Sequence, residues 1–199
     1  SIISSSNLER KNIDLLISKV VDMAKIVPKD EYCGLAKNSQ IISVDKEEEL
    51  NLKQFDKFFP TTENLQSHVL SLENGALDNN KISNSEGAEI ACTRNKYLLV
   101  ASNGLVQEFE KSHSDYIIAV LAENSRSMER EYDYKSKVFF QDLGDFSKIG
   151  KTVSKKAAKK LNSKKIKTCK SNVIFDSRVS SSLIGNLFNA CNSSAIIRG

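Results

Sequence analysis

Tyr97-Leu-Leu-Val-Ala-Ser102, then Asn103-Gly104, then Leu105-Val-Gln-Glu-Phe109 is the stretch that decides the fold. Two apolar, β-rich runs flank an Asn-Gly pair, and both turn residues tolerate positive φ, so a tight antiparallel hairpin is predicted. The same period-2 alternation extends from Lys81 to about Phe140. Tyr116-Ile-Ile-Ala-Val-Leu-Ala122 reads as the next, more buried strand, and Met128-Glu-Arg-Glu-Tyr-Asp-Tyr134 as another. Alternation of charge with Tyr132 and Tyr134 marks that last strand as half-exposed, and an exposed edge there would suit peptide capture or subunit contact by strand addition.

On both sides of this meander the period becomes helical. Asn7 is placed to cap a helix carrying Ile13, Leu16, Ile17, Val20, Val21 and Ala24, which Val27-Pro28 ends. Residues 36 to 59 show little periodicity and read as an irregular connection, with Phe55, Phe58 and Phe59 expected to pin it to the core. Pro60-Thr61-Thr62 opens a second helix with Leu65, His68, Val69 and Leu70, predicted to fade at Asn74-Gly75. Ile149, Val153, Ala157 and Leu161 repeat at helical spacing. Val173-Ile-Phe175 then reads as a short covered strand, followed by a helix striped with Val179, Leu183, Leu187 and Cys191, with Ile184 and Phe188 beside them. The order predicts an α+β fold: an antiparallel β-meander sheet with helices packed on one face, then a helix-strand-helix segment.

Composition narrows the function classes. With 199 residues and 40% apolar content the chain can bury one good-sized core. No apolar run is long enough to span a bilayer and no signal-peptide pattern opens the chain, so a cytoplasmic protein is expected. Cys33, Cys92, Cys169 and Cys191 are scattered, without a Cys-x-x-Cys pair, as free thiols of a reducing compartment would be. The sequence begins at Ser1 and stops at Ile196-Ile197-Arg198-Gly199 without a closing element, the pattern expected of part of a longer protein.

The net charge of +4 conceals an asymmetry: residues 151–170 carry nine lysines and no acid, so the remainder is net acidic. Within this run Lys155, Lys156, Lys159 and Lys160 are candidates for contact with a partner or an anion. Clustered lysines supply phosphate affinity through counterion release. The run contains no Arg for bidentate base contacts and no aromatic for stacking, which argues against nucleic acid and for a solvated or partner-facing helix. His68 and His113, the only imidazoles, have no neighbouring motif that supplies a nucleophile or orienting acid. Ser177–Ser182 lacks a Gly-x-Ser-x-Gly elbow and reads as the cap of the last helix. No catalytic residue, metal ligand or cofactor-binding residue is assigned.

Taken in order, Asp30-Glu-Tyr-Cys-Gly-Leu35, Ser85-Glu-Gly-Ala88, Ser102-Asn-Gly104, the strand into Ala122-Glu123, Met128–Tyr134, Ile149-Gly150 and Val173-Ile-Phe-Asp176 through Arg198 resemble the PmbA/TldD family, in its PmbA (TldE) branch. The resemblance covers essentially the whole chain. It implies that residues 1–199 are the N-terminal α+β part of a protein roughly twice as long, with a C-terminal β-rich half absent here. In the TldD branch a zinc helix carries His-Glu-x-x-x-His, with a third ligand in the C-terminal half. The PmbA branch lacks that motif and is thought to pair with TldD in a bacterial peptidase that cuts unfolded peptides. It is also labelled a modulator of DNA gyrase and linked to peptide-antibiotic maturation.

Mapped here, the zinc-helix positions fall on Gly185, Asn186 and Ala190, none of which is a ligand. The resemblance therefore implies a chain inactive alone, zinc only in a TldD-like partner, and assembly as a heterodimer or by self-association. The alternative, from another class, is a free-standing module binding protein or nucleic acid through the lysine helix 151–170.

Overall fold

The computed structural model describes residues 1–30, 33–41 and 52–198. Glu31 and Tyr32 of the Asp30–Leu35 segment, and residues 42–51 of the expected connection, lie outside the described residues. The chain divides into two units, 1–161 and 162–199.

The first unit is built on an antiparallel sheet ordered β1-β2-β3, with β1 Ile82–Val100, β2 Val106–Glu123 and β3 Met128–Lys137. Successive side chains of a strand point to opposite faces. Accordingly Ser112, Ser114, Tyr116, Ile118, Val120 and Ala122 of β2 are all buried, whereas Ile117 between them is exposed. Ile118 lies opposite Ala88 on β1 and Asp133 on β3. Pairing of β3 stops at Ser114–Lys137, so β1 and β2 continue alone as a two-stranded ribbon. At its tip Ala101 N–H donates to Leu105 O (2.9 Å), and Gly104 N–H to Ala101 O (3.1 Å). Gly104 adopts φ +88° and Asn103 does not join it in the left-handed region. The predicted two-residue turn is therefore a three-residue loop with glycine at its single left-handed position. Asn103 instead uses its side chain, donating to Ala36 O at 2.9 Å.

Two helices cover one face of the sheet. The first helix of the chain, α1 (Arg10–Ile26), has no buried residue. Its N-cap is Glu9, and Asn7 lies two residues earlier, accepting the Glu9 N–H (2.9 Å) rather than capping the helix itself. Helix α2 (Thr62–Leu77) opens with a reciprocal capping box between Thr61 and Asn64. It does not fade at Asn74-Gly75. A Cβ at Gly75 would stand 2.5 Å from the Ser147 carbonyl oxygen, so this glycine permits a helix crossing instead of ending a helix. The other side of the crossing is Gly150 of α3 (Phe146–Lys160), where a Cβ would collide with the backbone of Leu72, Gly75 and Ala76. Leu72 and Ala76 of α2, Phe146, Val153 and Ala157 of α3, the buried face of β2, Phe140 and Leu143 make one core. The helices therefore lie on one sheet face, as the ordering predicted.

Segment 52–59 is anchored by polar groups more than by its phenylalanines. Phe58 and Phe59 are largely exposed, while Asp56 is buried. Asp56 N–H donates to Ser112 Oγ (2.7 Å) and its carboxylate accepts the Phe58 and Phe140 N–H groups (2.9 and 2.8 Å). Arg94 donates to the Asp56 and Lys57 carbonyls and lies over the Phe55 and Phe59 rings.

In the second unit Val173–Phe175 is not a strand, and Ile174 is 97% exposed. A strand needs a hydrogen-bonding edge, and among the described residues none pairs with this run. Its apolar composition does not provide one. Helix α4 (Ser177–Ala190) forms as predicted, but Asp176 caps it by accepting the Arg178 N–H (2.9 Å), not the serines. Ser180 and Ser182 donate back to the Ser177 and Val179 carbonyls. A short helix, α5 (Ser193–Arg198), follows where no terminal helix was expected.

Candidate functional site

Gly185, Asn186 and Ala190 sit on α4 and are exposed. None of the three presents an imidazole or carboxylate. A Cβ at Gly185 would meet nothing within 4 Å. Among the described residues no group of three His, Cys, Asp or Glu side chains could hold a metal ion. What these three positions offer chemically is one amide, that of Asn186.

The lysine run is divided by the fold. Only its first half is helical: α3 ends at Lys160 and Asn162 takes φ +62°, so Lys164, Lys165, Lys167 and Lys170 follow in irregular backbone. Lys155, Lys156 and Lys159 are exposed on α3. Lys160 is committed elsewhere. Its Nζ lies 2.7 Å from Oε2 of Glu131, a nearly fully buried carboxylate, and donates to Arg130 O at 3.2 Å. Burying Glu131 without a cation would be costly, so Lys160 reads as a structural counter-ion that also blunts one edge of the sheet. Lys151 and Lys155 border a shallow depression shared with Asp78 and Asn79, where the acid works against anion binding.

The sheet face away from the helices is the most functionally suggestive surface. Ile117, Tyr132 and Tyr134 are exposed there, with the two tyrosine rings stacked 6.3 Å apart. Arg130 holds Glu86 through Nε and Nη2, both 2.7 Å from Oε2, and lies over the Tyr132 ring. Gly87, at φ +117° in a register shift of β1, opens a groove beside this pair, lined also by Glu89 and Ala119. Strand β3 is an edge strand of this sheet, a placement its half-exposed pattern alone did not specify. On the covered face, Tyr116 Oη donates to Asp133 Oδ2 (3.2 Å). Burial, reinforced by the Asp133 charge and this hydrogen bond, holds the Tyr116 hydroxyl well above the ordinary tyrosine range.

His113 does acquire polar neighbours that sequence reasoning missed. Nε2 lies 3.3 Å from Asp115 Oδ2 and 3.2 Å from Ser136 Oγ. Asp115, two residues along β2, shares a strand face with His113 and was readable from spacing, whereas Ser136 is brought there only by the register that pairs it with Asp115. The trio is no hydrolytic triad. Ser136 Oγ lies nearer the nitrogen that the acid approaches than the other one (3.2 against 3.5 Å), whereas a triad requires serine and acid on opposite nitrogens, and imidazole and carboxylate are both well exposed. His68 lies between the Phe140 and Phe146 rings, 5.4 and 5.0 Å away.

This architecture and sequence match known proteins. The family model for the PmbA/TldA metallopeptidase central domain fits residues 44–161. The chain belongs to the PmbA/TldD family. It is 24% identical over 199 residues to the metalloprotease PmbA of Escherichia coli O157:H7, covering 98% of this chain and 43% of that protein. A PmbA homologue from Buchnera aphidicola of Acyrthosiphon pisum is 23% identical over 192 residues, at 94% and 42% coverage. The chain thus spans well under half the length of the curated relatives it matches. A crystal structure of a candidate modulator of DNA gyrase from Bacteroides thetaiotaomicron superimposes with TM-score 0.83 at 23% identity, covering 97% of this chain and 44% of that one. TldE from Thermococcus kodakarensis gives TM-score 0.52 at 16% identity, over 78% and 33%. At these identities the likeness concerns the fold. Within the PmbA/TldD match lie the sheet, α2 and the lysines of α3, while Gly185, Asn186 and Ala190 lie beyond it. No helix among the described residues is long and apolar enough to cross a membrane.

Proposed function

We propose that the chain is the N-terminal part of a non-catalytic, PmbA/TldE-like subunit that pairs with a zinc-bearing TldD-like protein in a cytoplasmic peptidase acting on unfolded peptides. The feature that carries this reading is helix α4, where Gly185, Asn186 and Ala190, the residues to which the resemblance maps the zinc ligands and base, include neither imidazole nor carboxylate. Family membership supports the peptidase connection, and the TldE fold neighbour supports the choice of branch. Zinc would be the partner's, polarising a scissile carbonyl and activating water there. This chain would contribute surface. Its open sheet face, with Ile117 exposed on the central strand and Tyr132 and Tyr134 exposed on the edge strand β3, has the aromatic character of protein contacts. Lys155, Lys156 and Lys159 are available for charge-complementary docking, whereas Lys160 is held by Glu131.

The test is to assay peptide cleavage by the full-length protein alone, by a TldD-like partner alone, and by the mixture. Activity confined to samples containing the partner, and lost with a chelator, is expected. Chelator-sensitive cleavage by the full-length protein alone would sink the proposal. Elemental analysis of the untagged chain should find no stoichiometric zinc. Gly185→His, Asn186→Glu and Ala190→His together should not create activity, because the third ligand and the outer groups that orient a metal site are not supplied.

A further inference from the structure

A cavity of about 420 Å³ in the first unit is lined by Asp56, Phe58, His68, Phe140, Gln141, Gly144 and Phe146. Neither the subunit reading nor the open sheet face uses it. Its walls are aromatic: Phe140 lies 5.8 Å from Phe58, 5.4 Å from His68 and 5.9 Å from Phe146, centroid to centroid. Among these rings stands the carboxylate of Asp56, a residue only 9% exposed. We propose that this cavity is a binding site for an organic cation, a primary ammonium or guanidinium group on a short apolar stem.

Three features select that chemistry. The Asp56 oxygens each accept one backbone N–H, from Phe58 and from Phe140, and each keeps further acceptor capacity. No lysine, arginine or histidine forms an ion pair with Asp56 among the described residues. Arg94 donates to the backbone carbonyls of Asp56 and Lys57 instead of pairing with the carboxylate. A buried carboxylate lacking a counter-ion is one of the costlier arrangements a protein maintains, and a bound cation would offset that cost. The aromatic walls contribute independently, because ring faces attract cations while the rings accept an apolar stem. Phe58, exposed over more than half its surface, stands at the solvent side, whereas Phe140 and Phe146 are buried. An anionic ligand would meet the carboxylate, and a neutral apolar one would leave it unmatched.

The experiment titrates the intact chain with benzylamine and benzamidine, with benzyl alcohol as the neutral match and an acetylated, amidated Ala-Lys-Ala peptide as a side-chain source. Backbone amide signals of His68, Gln141 and Gly144 report occupancy by NMR. Both cations should bind at least about tenfold more tightly than the alcohol, the factor that a ring-plus-carboxylate attraction of this kind provides. Asp56→Asn should erase the difference. Since that change also alters the acceptor of a backbone N–H, Phe58→Ala provides the second arm: the side chain is exposed, so the fold should persist while cation affinity falls about fivefold. Saturation by the lysine peptide would assign the site to peptide side chains, and saturation by benzylamine alone to free amines. Equal binding of alcohol and amine, shifts confined to residues outside the cavity, or no response to any probe would overturn the proposal. None of these outcomes depends on whether a TldD-like partner exists.

Discussion

Helices α3 and α4 make the same statement in sequence and meet different fates. Each repeats apolar residues at four-residue spacing: Ile149, Val153 and Ala157 in one, Val179, Leu183 and Leu187 in the other. Val153 is 1% exposed and packs with Leu72 and Val120, while Leu187 is 60% exposed. Their glycines differ in the same way. Gly150 accepts the backbone of α2, and Gly185 faces open space. An apolar stripe expresses a demand for burial; only a second surface of matching shape satisfies it. Because helix stability in proteins comes largely from such packing, α3 should be fixed by its neighbours and α4 by its cap and propensity.

Paired substitutions can break or sharpen that contrast. The largest effect is expected at the crossing. Gly150→Ala forces a methyl into the Leu72 and Ala76 backbone and should cost about 3 kcal/mol in urea unfolding. Gly185→Ala should instead stabilise α4 by about 0.5–1 kcal/mol, and a loss there would mean that the helix is packed after all. Leu72→Ala, at a fully buried side chain, should cost about 2–4 kcal/mol, against about 0.5 kcal/mol or less for Leu187→Ala.

Lys160→Ala should follow at about 1–2 kcal/mol. It strands Glu131, but Lys160 is itself nearly half exposed, so solvent screens part of the loss. Lys156→Ala on the same helix should be nearly silent in the same unfolding assay.

The smallest effect is at Tyr116. Its hydroxyl titrates higher folded than unfolded, so the folded state holds the proton more tightly. That contribution is complete below the ordinary tyrosine value of about 10 and declines as pH rises beyond it. Tyr116→Phe should cost under about 1 kcal/mol at neutral pH and remove this alkaline loss; equal alkaline slopes for both proteins would refute the assignment.

Legibility varied with how local the causes were. The strands were readable because their signals are local: a short continuous apolar run over Tyr116–Ala122 marks a buried strand, and charge alternating with Tyr132 and Tyr134 marks β3 as half-exposed. The Asn74-Gly75 reading failed because a glycine that ends a helix and one that admits another helix look alike until Ser147 is opposite it. Val173–Phe175 failed because strand identity belongs to a pair, and this run has no partner strand among the described residues. Of the candidate lysines, spacing grouped Lys160 with Lys155, Lys156 and Lys159, and only the approach of β3 to α3 separated it from them.

The sequence by itself determined the helix, meander and helix order of the first unit, the buried character of β2, the charge asymmetry, and the absence of imidazole and carboxylate at Gly185, Asn186 and Ala190. These are properties of residue identity and of spacing within a few positions. Tertiary structure alone decided that Asp56 meets Phe140, that Glu131 meets Lys160, and that Ser136 reaches His113. Those contacts join residues from separate segments or strands, and their formation depends on strand register and on how closely two helices can cross. Neither quantity is carried by any single segment of the chain.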